Sequence, residues 1–180
     1  SFSKFDTKNV RYMNFMFCGC NSLETIDVSR FETGNVIYFN SMFSECNSLK
    51  SIDVSKFDMS SATDISFMFN KCSSLTFVNL SQLNTENVTS MKCLFQLCTG
   101  LKTVDLKGLK TSNVKDMGWM FTVCSSLQSV DISGFDTRNV TNMKSMFNEC
   151  ESLRNVSLRY NSTPNVTDVS YMFNKCSALR

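Results

Sequence analysis

A 26-residue unit recurs along this chain with no insertion or deletion between its copies. Each copy places a Phe three residues before a Cys, and the pattern Met-Phe-x-x-Cys-x-Ser-Leu first occurs at residues 16–23. The seven pairs are Phe17/Cys20, Phe43/Cys46, Phe69/Cys72, Phe95/Cys98, Phe121/Cys124, Phe147/Cys150 and Phe173/Cys176. A constant period of about 20–50 residues is typical of a solenoid, because such a unit buries its apolar side chains only against its neighbours.

The repeat boundaries predict a single domain. With position 1 at Phe5, repeats 1 to 7 cover residues 5–30, 31–56, 57–82, 83–108, 109–134, 135–160 and 161–180, and residues 1–4 match the end of a preceding repeat. We therefore expect one solenoid that is a segment of a longer array. The net charge is +2 and the Lys and Arg residues are scattered, so nothing predicts a nucleic-acid partner. No long apolar run predicts membrane insertion in this segment, and no signal peptide or anchor is recognisable in it.

The first half of the repeat predicts a short helix. Val10, Met13, Phe17 and Cys20 stand at positions 6, 9, 13 and 16, and spacings of three and four place such residues on one helical face. Thr7 at position 3 would then cap the helix through its hydroxyl. Asn, Thr and Ser within the segment are poor helix formers, so a 3₁₀ turn or a short extended piece is the alternative.

The second half of the repeat predicts a strand with one buried face. Leu23 is followed by Ile26 and Val28, and the last two alternate with polar residues. Five later repeats show the same pattern, at Leu49/Ile52/Val54, Leu75/Val78/Leu80, Leu101/Val104/Leu106, Leu127/Val130/Ile132 and Leu153/Val156/Leu158. Stacking of the repeats would pair these strands in a parallel sheet.

The order of these patterns carries a resemblance to a known family. L-x-x-L-x-L followed by a turn and a short helix resembles the leucine-rich repeat. The fuller unit F-D-T-x-N-V-x-x-M-x-x-M-F-x-x-C-x-S-L-x-x-I-D-V-S is similar to the repeat of BspA-like leucine-rich-repeat surface proteins, over the whole chain. The chain departs from the general leucine-rich repeat at Phe31, Phe57 and Leu83, where that repeat has Asn or Cys.

The resemblance implies both a fold and a location. We expect an α/β repeat solenoid, a right-handed leucine-rich-repeat-like coil with a concave parallel β-sheet and short helices or 3₁₀ turns on the convex side. The family it resembles is found at the cell surface or outside the cell, where it contacts host proteins, matrix or neighbouring cells.

The cysteine column favours thiols buried in the core. Each column Cys follows the conserved Phe on the apolar stripe, where free Cys packs as a small hydrophobic residue. A disulfide ladder between repeats and a metal site are the alternatives, although a regular gap of 26 residues and the lack of His differ from ordinary metal-ligand spacing. Cys93 lies outside the column and is expected to be the more accessible thiol.

No motif predicts catalysis. The chain has no His for a Ser-His-Asp triad or a Cys-His pair, and it has no glycine-rich phosphate-binding loop. We therefore expect no enzyme activity, no catalytic residue, no metal and no cofactor.

The strand carries a row of acidic residues that would face solvent on the concave side. Asp27, Asp53, Asp105 and Asp131 occupy position 23 between two inward-pointing residues. The row is either solvated and partly paired with basic residues at position 20, or it binds a cationic partner or a divalent ion. Phe77 is the lone aromatic residue at position 21, and aromatic residues anchor many interfaces. We choose these five residues as candidates for binding.

Two further rows have sequence signals. Position 5 is Asn in most repeats, and we expect these side chains to hydrogen-bond the turn backbone. Position 11 alternates between aromatic residues in odd repeats, Phe15, Phe67, Trp119 and Tyr171, and small residues in even repeats, Ser41, Cys93 and Ser145. Either each ring packs over its small neighbour, or the aromatic residues form a binding row on the outer face.

These observations favour a non-catalytic binding or adhesion scaffold that presents a repeat surface to a protein partner. Self-association is the other kind of partnership considered. The alternative functions are a filament or sheath protein built by stacking of solenoids, and the recognition arm of a larger effector.

Overall fold

The computed structural model describes residues 5–158 and 162–180, which form a stack of seven repeats. Its strands are β1 (Phe77–Asn79), β2 (Thr103–Asp105), β3 (Ser129–Asp131) and β4 (Asn155–Ser157). β1 pairs with β2 and β3 pairs with β4, both parallel and in repeat register. The predicted short parallel strands are confirmed in repeats 3 to 6. In repeats 1 and 2 the equivalent residues are not strands, although the Lys50 N–H donates to the Glu24 carbonyl at 3.0 Å.

A second parallel ladder runs through position 8 of every repeat. It consists of single bridges rather than full strands. The ladder is Tyr12, Tyr38, Asp64, Ser90, Asp116, Asn142 and Asp168. Each repeat is therefore joined to the next by backbone hydrogen bonds on two sides.

The predicted helix is wrong, because the described residues contain neither an α-helix nor a 3₁₀ helix. In the segment that was predicted to be helical, alternate N–H groups donate to carbonyls of the next repeat and not to the preceding helical turn. The N–H groups of Phe15, Phe17 and Gly19 donate to carbonyls of repeat 2 at 3.1, 2.9 and 2.8 Å. The intervening Cys18 and Cys20 donate to carbonyls three residues back at 3.1 Å. The segment is therefore a series of tight turns, in which N–H groups donate alternately to the next repeat and to the same repeat.

Two positions of every repeat exclude a helix because they adopt the left-handed conformation. Position 11 has φ between 54° and 60°, and position 15 has φ between 58° and 75°. The residues are Phe15, Ser41, Phe67, Cys93, Trp119, Ser145 and Tyr171 at position 11, and Gly19, Glu45, Lys71, Leu97, Val123, Glu149 and Lys175 at position 15. The 3-4-3 spacing therefore predicted which residues are buried but not the backbone that buries them.

The core is built on a continuous stack of phenylalanine rings. Neighbouring column rings have centroids 5.5–5.8 Å apart and planes within 13° of parallel. The inner rings, Phe43, Phe69, Phe95, Phe121 and Phe147, are fully buried. Buried Met and Leu residues belong to the same hydrophobic cluster as the stack. Each inner ring therefore contributes to two interfaces between repeats.

The threonine column joins repeats instead of capping helices. The Thr33 hydroxyl donates to the Asp58 carbonyl at 3.0 Å and accepts from the Asp58 N–H at 2.8 Å. Thr111 makes the same pair of hydrogen bonds with Asp136, at 3.1 and 2.8 Å. Met59 replaces Thr in repeat 3 and is fully buried. The side chain thus satisfies backbone groups of the following repeat.

The asparagine column makes the expected bonds to turn backbone, and the turn belongs to the preceding repeat. The Asn35 amide donates to the Lys8 carbonyl at 2.9 Å, and Asn113 donates to Glu86 at 2.7 Å. Ser61, the exception at this position, donates to Gly34 at 2.6 Å. This prediction is confirmed.

The right hand of the coil and the concave curvature of the sheet stay predictions.

Candidate functional site

The five predicted binding residues lie on one surface, the exposed side of β1 to β4 and of the equivalent residues in repeats 1 and 2, here called the strand face. Asp27, Asp53, Phe77 and Asp131 are exposed, and Asp105 is partly buried. The register pairs Phe77 with Thr103 and places Asp105 beside Asn79. Stacking thus brings residues 26 positions apart in sequence into neighbouring places on the strand face.

The position-23 acids begin Asx turns, a role that the sequence analysis missed. The Asp53 carboxylate accepts a hydrogen bond from the Ser55 N–H at 2.9 Å, and Asp131 accepts one from Ser133 at 2.9 Å. Hydrogen bonding by these serines holds the pKa of both carboxyl groups below the usual range. The Asn79 side-chain oxygen likewise accepts a hydrogen bond from the Ser81 N–H at 2.9 Å. The signal was available, because Asp or Asn two residues before a turn N–H is typical of this motif.

Phe77 is the large apolar residue of the strand face. Its side chain is 49% exposed, although the β1 residue that follows it, Val78, is fully buried. Among the described residues, Lys50 and Glu24 form the only ion pair on this face, at 2.7 Å with both side chains exposed. The face therefore combines one exposed ring with an acidic row and a flanking basic row.

Glycines at the same position of two consecutive repeats open a groove beside this surface. Gly108 and Gly134 occupy position 26, where earlier repeats have Arg30, Lys56 and Gln82. The groove has a volume of about 780 Å³, and its lining includes Asp105, Asp131, Asp136, Lys107 and Lys110. Gly108 has a φ of 91°, which favours glycine at this corner. Sequence reasoning missed the groove, although the loss of long side chains at one position of adjacent repeats indicated it.

The outer aromatic residues occupy a separate surface, here called the turn face, which carries positions 11 and 15. Phe15 and Tyr171 are 55% and 65% exposed, whereas Phe67 and Trp119 are partly buried. The small residues between them, Ser41, Cys93 and Ser145, are buried. This alternation of burial agrees with packing of large residues beside small ones.

Trp119 has a lysine from each neighbouring repeat near its ring. The Lys92 and Lys144 ammonium groups lie 5.1 and 5.9 Å from the ring centroid. Both lysines stand at position 10 of an even repeat, next to the small residue at position 11. Cation–π attraction therefore adds to the packing of this ring.

The inner column cysteines are buried thiols that hydrogen-bond backbone carbonyls. The Cys98 thiol donates to the Phe69 carbonyl at 2.9 Å, and burial raises its pKa to about 12. Burial similarly raises the pKa of Cys46 to about 11. At the ends of the column, Cys20 is exposed and Cys176 is partly buried.

The prediction that Cys93 is the more accessible thiol is wrong. Cys93 is only 3% exposed, because it is one of the small residues in the alternating row, and burial raises its pKa to about 11. Cys18 and Cys20 are the exposed cysteines. Across residues 5–158 and 162–180, no group of three or more Cys, Asp or Glu side chains is arranged to hold a metal ion, and no helix could span a membrane.

Comparison with protein families places the chain. A family described as "Mycoplasma protein of unknown function, DUF285" matches residues 1–103 and again residues 63–180. The chain belongs to this family. Membership of the DUF285 family accounts for the regular repeat and assigns no activity to any residue.

One solved structure shares a distant likeness with this member of the DUF285 family. It is the crystal structure of the T. pallidum leucine-rich-repeat protein, with 16% sequence identity and a TM-score of 0.29. The comparison covers 73% of this chain and 75% of that one. A search of curated proteins finds no match.

Proposed function

We propose that the chain is a non-catalytic binding scaffold of the cell surface or extracellular space, which presents its strand face to a protein partner. The observation that carries this proposal is Phe77, a half-exposed aromatic ring at a position where the other repeats have Thr, Ser or Asn. The resemblance to BspA-like surface proteins supports contact with host proteins, matrix or other cells.

The chemistry of the strand face favours a partner with basic groups around an apolar centre. Asp53 and Asp105 flank Phe77 in the preceding and following repeats. Hydrogen bonding by Ser55 lowers the pKa of Asp53, so this carboxyl group is charged at neutral pH. Aromatic residues contribute disproportionately to binding energy, so the exposed ring is the candidate anchor of the interface. The groove beside Asp105 and Asp131 extends the available surface.

The experiment measures binding of the purified chain to immobilised fibronectin, laminin and collagen and to cultured epithelial cells. The test variant combines Phe77→Thr with Asp105→Asn. Each change introduces the residue that a neighbouring repeat has at the same position, Thr103 and Asn79 respectively, so the fold and the Asx turn are kept. The control is Phe15→Ser on the turn face, which copies Ser41. Binding that falls at least tenfold in the test variant and persists in the control supports the proposal. Equal binding by all three proteins contradicts the choice of the strand face.

A further inference from the structure

The side chains at position 15 form an outward-facing row in which charged and apolar residues follow a particular order. From repeat 2 to repeat 7 it reads Glu45, Lys71, Leu97, Val123, Glu149 and Lys175. All six have φ between 58° and 63°. None is buried, and the charged members keep 35–63% of their side-chain surface exposed. The row therefore runs along the turn face, open to solvent.

Two ion pairs bracket an apolar centre in this row. Lys71 and Glu45 lie 2.6 Å apart, and Lys175 and Glu149 lie 3.1 Å apart. Leu97 and Val123 stand between these pairs and are only partly buried.

Val123 is unusual for its backbone conformation. A β-branched residue in the left-handed region is a genuine outlier, and strain of this kind is commonly kept where it serves function. Every other repeat has Gly, Glu, Lys or Leu at this position. The Val123 side chain is only partly buried.

The row is complementary to itself when reversed. We propose that the turn face binds a second copy of this chain in antiparallel orientation, about a two-fold axis that passes between Leu97 and Val123. A two-fold axis makes each contact occur twice. Glu45 then faces Lys175 of the second copy, Lys71 faces its Glu149, and Leu97 faces its Val123. Every acid meets a base, and the apolar centre meets itself.

The neighbouring row at position 11 fits the same axis. The axis matches each odd repeat with an even one, so each aromatic residue meets a position whose small side chain is buried in its own chain, and not a second ring. Trp119 faces Cys93 of the second copy, Phe67 faces its Ser145, and Tyr171 faces its Ser41. Position 14, which lies between these rows, is uncharged in every repeat. No pair of like charges therefore meets at positions 11, 14 or 15, and at position 10 the axis matches Lys92 with Gly118 and Lys144 with Ser66.

The dimensions of the row predict a weak dimer. Six repeats at a spacing of about 4.8 Å give a contact about 29 Å long, with only a few rows across its width. This area is at or below the lower limit of standard interfaces, about 1,200 Å² in total. Exposed ion pairs are screened by salt. We expect dissociation in the micromolar range or weaker, and further weakening at high salt.

The dimer is independent of the proposed function of the strand face. The two faces are carried by different parts of the repeat, so a partner bound through Phe77 does not require the dimer. Failure of one proposal leaves the other standing, because their test variants share no residue.

The experiment is a charge-swap series followed by sedimentation velocity from about 10 μM to about 1 mM, a range that covers weak complexes. Variant A is Glu45→Lys with Lys71→Glu, and variant B is Glu149→Lys with Lys175→Glu. Each variant keeps its ion pair within the chain and the net charge, so its melting temperature serves as the control for folding. In either variant alone, the proposed axis brings four like-charged contacts together.

We expect the wild type to dimerise with rising concentration, variants A and B each to stay monomeric, and their equimolar mixture to form a heterodimer. The combined variant A+B in one chain should dimerise like the wild type. These results would distinguish the central axis from shorter overlaps at either end, for which variant A alone would still pair. A wild type that is monomeric at about 1 mM, or variants that dimerise as it does, would overturn the proposal.

Discussion

The ring of Phe121 lies parallel to the ring of Phe147, with 5.5 Å between their centroids and 2° between their planes. The same contact joins every successive pair in the phenylalanine column, so the stability of this chain is a sum of near-identical interfaces between neighbours.

Phe95→Ala should destabilise the chain more than Phe173→Ala. Phe95 is fully buried between two rings, whereas Phe173 is partly buried and stacks on Phe147. Truncating a buried Phe costs about 3–5 kcal/mol, and we expect the end variant to lose about half as much. Urea denaturation of the two variants provides the measurement. Equal losses would contradict a stack whose interior residues serve two interfaces.

Thr111→Val should cost about 1–3 kcal/mol, although the two side chains have nearly the same shape. The change leaves the N–H and carbonyl of Asp136 without the hydroxyl that bonds both of them. Thr103→Val on the exposed side of β2 is the control and should be nearly neutral. Chemical denaturation compares the two, and a neutral Thr111→Val would show that water replaces the lost bonds.

Thiol labelling should separate the cysteines by their place in the stack. Cys18 and Cys20 are exposed and should react quickly with iodoacetamide in the native protein. Cys98 should resist, since its thiol is fully buried and burial raises its pKa to about 12, which keeps it protonated. Mass spectrometry after labelling identifies the sites, with urea-unfolded protein as the reference. Rapid native labelling of Cys98, or a Cys20–Cys46 crosslink, would contradict a core of reduced thiols.

Asp136→Asn should reduce the loss of stability in acid. Hydrogen bonds from Arg138 hold the pKa of Asp136 at about 2, below the value of about 3.9 for an unfolded Asp. The ionised carboxyl therefore stabilises the fold above pH 4, and this contribution disappears as the pH falls from about 4 to about 2. Denaturation at several pH values should show a shallower decline for Asp136→Asn than for the wild type. Asp58→Asn is the comparison, because Asp58 has the same repeat position and Ser60 stands in place of the arginine. A matching decline in both variants would refute the role of Arg138.

Ser41→Trp should destabilise the chain by about 1–3 kcal/mol through overpacking. Ser41 is 7% exposed in the row where small residues alternate with aromatic ones. Trp119→Ser should also lower the melting temperature, because it removes the ring that lies near Lys92 and Lys144. Differential scanning calorimetry tests both. A stable Trp119→Ser variant that loses association would favour a binding role for the aromatic row.

The sequence was sufficient for the repeat register, the parallel strands and the burial of Phe95 and Cys98. It was misleading about the helix. Spacings of three and four identify buried residues in any backbone that turns inward at those points, and a sequence of tight turns does so as well as a helix. The decisive hydrogen bonds, such as Phe17 to Met42, join residues 25 apart, so no local pattern reports them.

The candidate sites were only partly visible in the sequence. Alternation within the strand predicted correctly that Phe77 and Asp53 are exposed. The accessibility of Cys93 could not be judged from its own repeat, because residues in the adjacent repeats decide whether it is covered. The order of charges at position 15 can be read from the sequence. Its meaning for binding depends on the left-handed conformation and the exposure of these residues, which the sequence does not show.

The uniform offset of the hydrogen bonds between repeats has a consequence for how such chains change. Thr33 bonds Asp58 and Thr111 bonds Asp136 at the same separation of 25 residues, and Asn35 and Asn113 both reach back 27. A recombination event that removes or inserts one whole repeat therefore rejoins partners that already fit. Molecules of this design can vary in length in steps of about 4.8 Å, without a new core being selected each time.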